Sequence, residues 1–450
     1  MQQSKPPRVR LEDHPTAQRL RSQVSPGPPP PLTLEELRTL CLEAGAEDAG
    51  AVPLEHPELL EEVGPVRQAF PAARTLVPIV LRMHAEDVRS PSRSVANLEF
   101  HRTGHQVDEI AHRIVLALTA RGHRAINPAM AFPMEMANFP GRTWVVSHKR
   151  VAVAAQLGKM GLHRSVIHPR FGSFILLGTV ITDAVVEGAA APLSYDPCVS
   201  CKLCVAACPV GAIEPDGTFR FSACYDHNYR EFMTGFGDAM EAVAESKDRH
   251  QLRERLPIAE SASLWQSLAY GPNYKAAYCL AVCPAGEDHL GPFLRDRPKH
   301  LAEVVDPLLA RTEEVYVVPG SDAEAHVKKR FPHKRVRPIR SSLRATSARG
   351  FFRALPLVFQ RGPARGWRGV FHFVLQEVGA VEFTVCIDDG ALETKPGLIG
   401  EADVVVRAET KTWLEIVQQK RSPVWAVVTG RLKLEGDRKL LDKFAACFPR

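Results

Sequence analysis

Four cysteines stand close together at Cys198, Cys201, Cys204 and Cys208, separated by two, two and three residues, and Pro209 closes the run. Thiolates are soft ligands. At this spacing one loop can wrap a cubane iron–sulfur cluster with its first three sulfurs, while the fourth reaches across to a neighbouring cluster. Zinc also takes thiolates, but from Cys-x2–4-Cys pairs set well apart. Cys208 starts a segment that points away from the loop, and Pro209 fits a position where a backbone N–H would have had no partner. The apolar run Val210-Gly-Ala-Ile213 packs beneath the turn. The chemistry implied is one-electron transfer.

Further along, Cys279-Leu-Ala-Val-Cys283-Pro284 repeats the last half of that run. Crossed ligation then assigns Cys283 to the cluster of Cys198, Cys201 and Cys204, leaving Cys208, Cys224 and Cys279 for a second one. A full repeat would place a cysteine three residues before Cys279, where the chain has Ala276. The second site is one thiolate short. It is a three-iron cluster, a four-iron cluster with a non-cysteine ligand, or absent, with Cys224 and Cys279 as ordinary buried thiols. Tyr274, Tyr278, Asp226 and His227 are the nearby oxygen or nitrogen donors. The remaining cysteines, Cys41, Cys386 and Cys447, are scattered singly. Such clustering indicates metal ligation in a reducing compartment, the cytoplasm, and not a disulfide framework.

The elements that must position these ligands belong to a chain of 450 residues, long enough for two or three domains. Its hydrophobic content of 45% is that of a globular protein, and no apolar run approaches a membrane span. Residues 1–32 are polar and proline-rich, without the apolar core of a secretory signal, and read as a disordered tail. The net charge of +6 is uneven: residues 328–353 hold ten Lys or Arg and no acid, so the rest is net acidic. One basic stretch reads as a solvated linker before it reads as a nucleic-acid or anionic surface.

Thr33-Leu-Glu-Glu36 has capping-box spacing ahead of a helix that Gly45 ends. Residues 75–81 read as a buried strand whose pairing Pro78 restricts. Val107, Ile110, Ala111, Ile114 and Leu118 mark a helix stopping at Gly122. A helix over 149–159 and a strand within 171–183 complete an α/β layered domain over 33–190. The cysteine region, 191–300, shows little periodicity. A short strand at 313–318, a helix near 322–331 and the basic linker make up 301–349. From 350 the texture is α+β, with strands at 370–375, 381–387 and 402–407 and a hairpin signal at Asp388-Asp389-Gly390. Thr410 caps a helix to Val417, 426–434 reads as a strand, and an amphipathic helix closes the chain.

With these residues in hand, the chain resembles the epoxyqueuosine reductase and reductive dehalogenase group over about 33–300. The bacterial-ferredoxin cysteine run carries the likeness, with Ala154-Ala-Gln-Leu-Gly158-Lys-Met-Gly161, Pro169-Arg-Phe-Gly172-Ser-Phe, Leu177-Gly178-Thr-Val-Ile-Thr-Asp183 and Cys224-Tyr225. The resemblance implies an α/β corrinoid-reductase-like domain with cobalamin above a two-cluster ferredoxin-like module. It also implies an electron donor of ferredoxin or flavodoxin type. Gln156, Lys159 and Ala276 depart from the group's pattern. Residues 350–448 resemble the sterol carrier protein type 2 fold, through Val381–Gly390, Ala402–Arg407, Thr410–Val417 and Thr429–Asp437. That fold implies an apolar tunnel for a lipid or other apolar small molecule. The expected function is an iron–sulfur oxidoreductase. The rival expectation is a non-catalytic electron-transfer protein with a lipid-binding or docking domain.

Overall fold

The computed structural model describes residues 10–21, 27, 29–130, 144–341, 345–377 and 379–449. Parts of the expected tail and of the basic linker (342–344) lie outside these residues. Within the tail, Pro15–Arg21 is helical and buries no residue.

Thr33 caps helix α1 (Leu34–Ala44) with the reciprocal Glu36 box, and Gly45 ends it at φ +113°. Short strands β1 (Asp48–Ala49) and β2 (Val52–Pro53) and helix α2 (Leu60–Ala69) follow. Next come the buried strand β3 (Thr75–Arg82), the long helix α3 (Arg93–Ala120) and strand β4 (Ala125–Ile126). Helix α4 (His148–Ala154), the hairpin of β5 (Lys159–Met160) and β6 (Val166–Ile167), and strand β7 (Ile175–Thr182) complete this part. The sheet order is β1-β3-β7-β4, with β2 also on β3, and every pairing is antiparallel.

The strands are apolar throughout because both faces are covered. Leu76, Val80, Leu177 and Ile181 pack under α2 and α4, while Val77, Ile79, Leu81 and Val180 pack under α1 and α3. Alternation would have needed one wet face. The expected effect of Pro78 is visible: the strand alongside breaks at Gly50-Ala51, opposite Val77-Pro78. Helix α4 ends five residues earlier than expected, because Gln156 turns left-handed at φ +63° and Lys159 enters the hairpin.

The cysteine region is far more helical than its sequence pattern suggests. It holds α5 (Leu203–Ala207), α6 (Phe221–Asn228), α7 (Gly235–Glu245), α8 (Ile258–Tyr270) and α9 (Tyr278–Ala281). The apolar residues of α7 and α8 that should have signalled them face outward: Phe236, Met240, Val243, Trp265 and Leu268 are exposed.

Strand β8 (Glu314–Val317) leads to helix α10 (Asp322–Arg330) and strand β9 (Arg335–Pro338), which pairs with β8 in parallel. Part of the basic stretch is therefore structured, not linker. Lys334 is buried against Glu313 at 2.8 Å, Arg337 reaches Glu260, and Arg340 reaches Glu241 and Glu245. Helix α10 touches both neighbours. At its start the Asp322 carboxylate accepts the N–H groups of Arg361 and Gly362, and one turn on His326 lies 3.2 Å from the Cys208 carbonyl.

Helix α11 (Ala348–Val358) precedes strands β10 (Arg368–Glu377), β11 (Gly379–Asp388), β12 (Ala391–Pro396) and β13 (Val404–Glu409). Asp389 and Gly390 sit at φ +41° and +84° in the β11–β12 hairpin turn. After α12 (Thr410–Val417), residues Pro423–Val428 form helix α13, so the strand expected over 426–434 begins only at Leu432. Strand β14 (Leu432–Gly436) and α14 (Arg438–Ala446) end the fold, giving the sheet order β12-β11-β10-β13-β14. Its helix-covered face is an aromatic core of Phe351, Phe371, Phe373, Phe383, Trp413 and Phe444.

Candidate iron–sulfur centre

Two left-handed residues, Ser200 at φ +50° and Lys202 at φ +60°, curl the loop that carries Cys198 and Cys201. Helix α5 then starts at Leu203 and presents Cys204. Asp196 anchors the loop by accepting the Cys198 N–H at 2.9 Å. Cys283 arrives from the other end of the module, on the turn after α9. The structure brings these four thiols together: Cys198, Cys201, Cys204 and Cys283 line one cavity, closed by Leu162, His163, Ile167 and Ala285. The crossed assignment of Cys283 rests on this convergence across nearly eighty residues of chain.

The second trio gathers nearby. Cys208 is buried in the apolar cluster of Val210, Ala212, Ile213 and Val315, against which Cys224 and Cys279 pack. The Ala212 N–H points at the Cys208 sulfur at 3.2 Å. Among the described residues, no three His, Cys, Asp or Glu side chains are gathered tightly enough to hold a single metal ion. The thiols surround a space instead of converging on a point.

Burial pushes Cys201, Cys204, Cys208, Cys224, Cys279 and Cys283 upward, and neighbouring sulfurs add to the effect at all of these but Cys208. Loss of solvation and Cys208 take Cys224 to about 12, and Cys283 rises to about 11 although the Ala285 N–H opposes it. Left to themselves the thiols stay protonated. A coordinated cationic iron core is the kind of partner that would hold them as thiolates. Backbone N–H groups directed at Cys208 and Cys283 add to that preference. The donor set and its surroundings fit a cluster.

The four non-cysteine donors read from the sequence turn elsewhere. Tyr278 donates to Glu313 at 2.7 Å and accepts from Arg311, while the Tyr274 ring packs on Phe100 and Phe232. His227 accepts the Tyr316 N–H at 3.2 Å, and Asp226 lines a cleft with Tyr316 and Gln360. The sequence reading missed Tyr229 and Lys149, the groups whose ionisation Cys224 and Cys279 both perturb. It also missed His163. That ring is buried and accepts the Ser165 N–H at Nδ1, 3.1 Å away; burial, then Lys149, lowers it to about 4.

The glycines that carried the resemblance are all filled by protein. A Cβ on Gly158 would meet the Ile167 carbonyl at 2.5 Å, and one on Gly161 would meet Ile167 at 2.6 Å. One on Gly178 would meet Val107 at 2.6 Å, and one on Gly172 would collide with the Ala285 carbonyl. They serve tight turns and the seam between the α/β domain and the cysteine module. None of them is a cradle for a corrinoid, so no residue is assigned to that group.

Residues 191–214 match the 4Fe-4S binding domain family, and residues 360–449 match the SCP-2 sterol transfer family. An epoxyqueuosine reductase of Listeria monocytogenes is 29% identical over 171 residues, 38% of this chain and 36% of that protein. The chain resembles an epoxyqueuosine reductase joined to a sterol-carrier-type domain. A second epoxyqueuosine reductase, from Bacillus anthracis, is 35% identical over 82 residues, 18% of this chain and 21% of that one. The chain thus spans 36% and 21% of the lengths of these two curated relatives. The solved epoxyqueuosine reductase of Streptococcus thermophilus aligns at TM-score 0.37 and 17% identity, over 60% of this chain and 74% of that one. Sterol carrier protein 2 like 2 of Aedes aegypti aligns at 0.16 and 24%, over 17% and 70%. Among the described residues, no helix is long and apolar enough to cross a membrane.

Proposed function

We propose that the chain is an iron–sulfur oxidoreductase of the epoxyqueuosine reductase and reductive dehalogenase type. Cys198, Cys201, Cys204 and Cys283 hold a four-iron cluster, and Cys208, Cys224 and Cys279 hold a second, thiol-poor one. Bound clusters supply one-electron transfer from a small electron-carrier protein towards a corrinoid or a substrate in the α/β domain. The chain's own contribution is to exclude water from the thiols, direct N–H groups at sulfur and hold the module against the upstream domain. We divide the chain into a tail (1–32), the α/β domain (33–190), the iron–sulfur module (191–300), the extension (301–349) and the sterol-carrier-like domain (350–450). The last presents or retains an apolar substrate.

The observation that carries this reading is the meeting of Cys283 with Cys198, Cys201 and Cys204 around one cavity. Nucleic acid is not assigned as a partner, because Lys328, Lys334, Arg337 and Arg340 of the basic stretch pair with acids of this chain. A second reading, an electron-transfer protein without chemistry of its own, is favoured by one observation: the glycines shared with the reductases are filled by protein.

Anaerobic purification with iron, sulfide and cobalt analysis tests both. The enzyme reading expects about seven or eight irons per chain, and cobalamin uptake on reconstitution supports its corrinoid form. Iron without cobalt and without any reductase activity favours the second reading. Zinc in place of iron would overturn both.

A further inference from the structure

The loop between β5 and β6 is shaped to hold one ring. The Gly161 N–H donates to the Ser165 carbonyl at 3.0 Å, the Arg164 N–H returns to the Gly161 carbonyl at 3.0 Å, and Arg164 closes the turn at φ +59°. Gly161 has no room for a side chain, since a Cβ there would lie 2.6 Å from Ile167 and 3.1 Å from the His163 ring. The ring so placed is 5% exposed.

Its tautomer follows from its neighbours. Nδ1 accepts the Ser165 N–H, so in the neutral ring the proton sits on Nε2. That Nε2 is buried and has no hydrogen-bond partner among the described residues. Buried N–H groups are almost always satisfied, and one that is not calls for an explanation. His163 lines the same cavity as Cys198, Cys201, Cys204 and Cys283. An unpaired donor therefore borders the space that four sulfur ligands surround.

We propose that His163, through Nε2–H, donates a hydrogen bond to a sulfur of the cluster held by Cys198, Cys201, Cys204 and Cys283, and thereby raises that cluster's reduction potential. The inference rests on the cluster assignment proposed above. A reduced cluster carries one more negative charge, shared by its sulfurs, so a donor to sulfur stabilises the reduced form more than the oxidised one. His163 is a tuning residue, not a ligand. Lys202 lines the cavity too, but it is exposed and its charge is screened by solvent.

The test is an electron-paramagnetic-resonance redox titration of the full chain, reconstituted anaerobically, with His163→Leu and His163→Gln. The first-cluster signal is the one that persists in Cys224→Ala. His163→Leu should keep wild-type iron while the reduced-to-oxidised ratio at fixed potential falls about tenfold, a shift of about 59 mV for one electron. His163→Gln, which retains a donor at similar reach, should recover at least half of that shift. An exchangeable-proton coupling to the cluster should be present in the wild type and absent from His163→Leu. An unchanged potential in His163→Leu, or an equal fall in both variants, overturns the proposal. So does loss of first-site iron from both, which would make the ring a packing element. A wild-type chain that takes up no iron overturns the cluster assignment itself, a result separable from the others.

Discussion

Lys202 and Ala277 share one unusual backbone conformation, φ +60°, ψ 15° and φ +56°, ψ 22°, each one residue before a short helix that carries a cysteine. The cysteine-module repeat is thus preserved in three dimensions as well as in sequence. In the first copy Cys201 precedes the left-handed residue; in the second Ala276 does. Ala276 is pinned by other means, its N–H on Asn228 at 3.0 Å and its carbonyl on Arg93 at 3.0 Å. An L-residue in this region costs about 1–2 kcal/mol, so its retention at Ala277 marks a strongly determined loop.

Ala276→Cys should therefore restore the missing thiolate. Iron should rise by about one atom per chain if the second site is a three-iron cluster, or by about four if it is empty in the wild type. Iron, sulfide and electron-paramagnetic-resonance analysis of the reconstituted variant checks this. Unchanged metal content in a folded variant would place residue 276 away from the second site.

Gly172 and Gly286 lie back to back across the seam between the α/β domain and the cysteine module. A Cβ on Gly286 would strike the backbone of Gly172, and one on Gly172 would strike the Ala285 carbonyl, two residues after Cys283. Gly172 is also at φ +64°. Gly172→Ala should cost roughly 3 kcal/mol, from left-handed strain plus overpacking. Denaturant unfolding reads the loss, and iron at the first site should fall with it because Cys283 rides on the displaced segment. Wild-type stability would mean that the seam yields.

His227 is fully buried and lowered to about 4, first by burial and then by Lys275, Lys334 and Arg230 against an opposing Glu313. Its folded value lies below the unfolded value of about 6.5. The neutral ring therefore stabilises the fold fully above about pH 6.5, and that contribution disappears as the pH falls towards 4. The amount at stake is on the order of 3 kcal/mol. Unfolding of wild type and His227→Asn, compared near pH 7 and near pH 5, should show a smaller acid loss in the variant. Equal losses would assign the acid sensitivity to other groups, the cluster thiols first among them.

Phe373 is fully buried at the centre of the sterol-carrier-like core, stacked on Phe383 with ring centres 5.0 Å apart and edge-on to Trp413 at 5.4 Å. Phe373→Ala should cost about 3–5 kcal/mol. Because the residue lies far along the chain from the cysteines, calorimetry should move the transition of that domain while iron content stays constant. Iron loss in this variant would show that the two parts melt as one.

What could be read from the chain alone depended on how locally each feature is specified. The cysteine spacing is a local geometric code, so the convergence of Cys283 on Cys198, Cys201 and Cys204 was legible, and the cysteine absent at Ala276 is read from the sequence itself. Strand direction is not local: β3 and β7 are uniformly apolar because helices cover both faces, and that pattern is shared by parallel and antiparallel sheets. Helices α7 and α8 were missed because their large apolar residues face outward, removing the usual contrast between faces. The strand read over 426–434, from Leu432 and Leu434 alternating with Arg431 and Lys433, was begun too early: Ser422 accepts the Trp425 N–H and Pro423 occupies the first turn, both helix-start signals. His163 gave no pattern at all; only the folded hairpin shows that its Nε2 has no partner among the described residues.

Helix α10 ties the carboxylate of Asp322 to the start of the sterol-carrier-like domain and His326 to the carbonyl of Cys208. Arg361 adds direct bonds to the same contact, 3.5 Å from Asp216 and 3.3 Å from Thr218, and helix α11 packs on α6. A different domain grafted behind the same cysteine module would have to present two backbone N–H groups where Arg361 and Gly362 now stand and a cation facing Glu214 and Asp216. The helix is in that sense one wall of a socket, which Glu214, Asp216 and Thr218 complete.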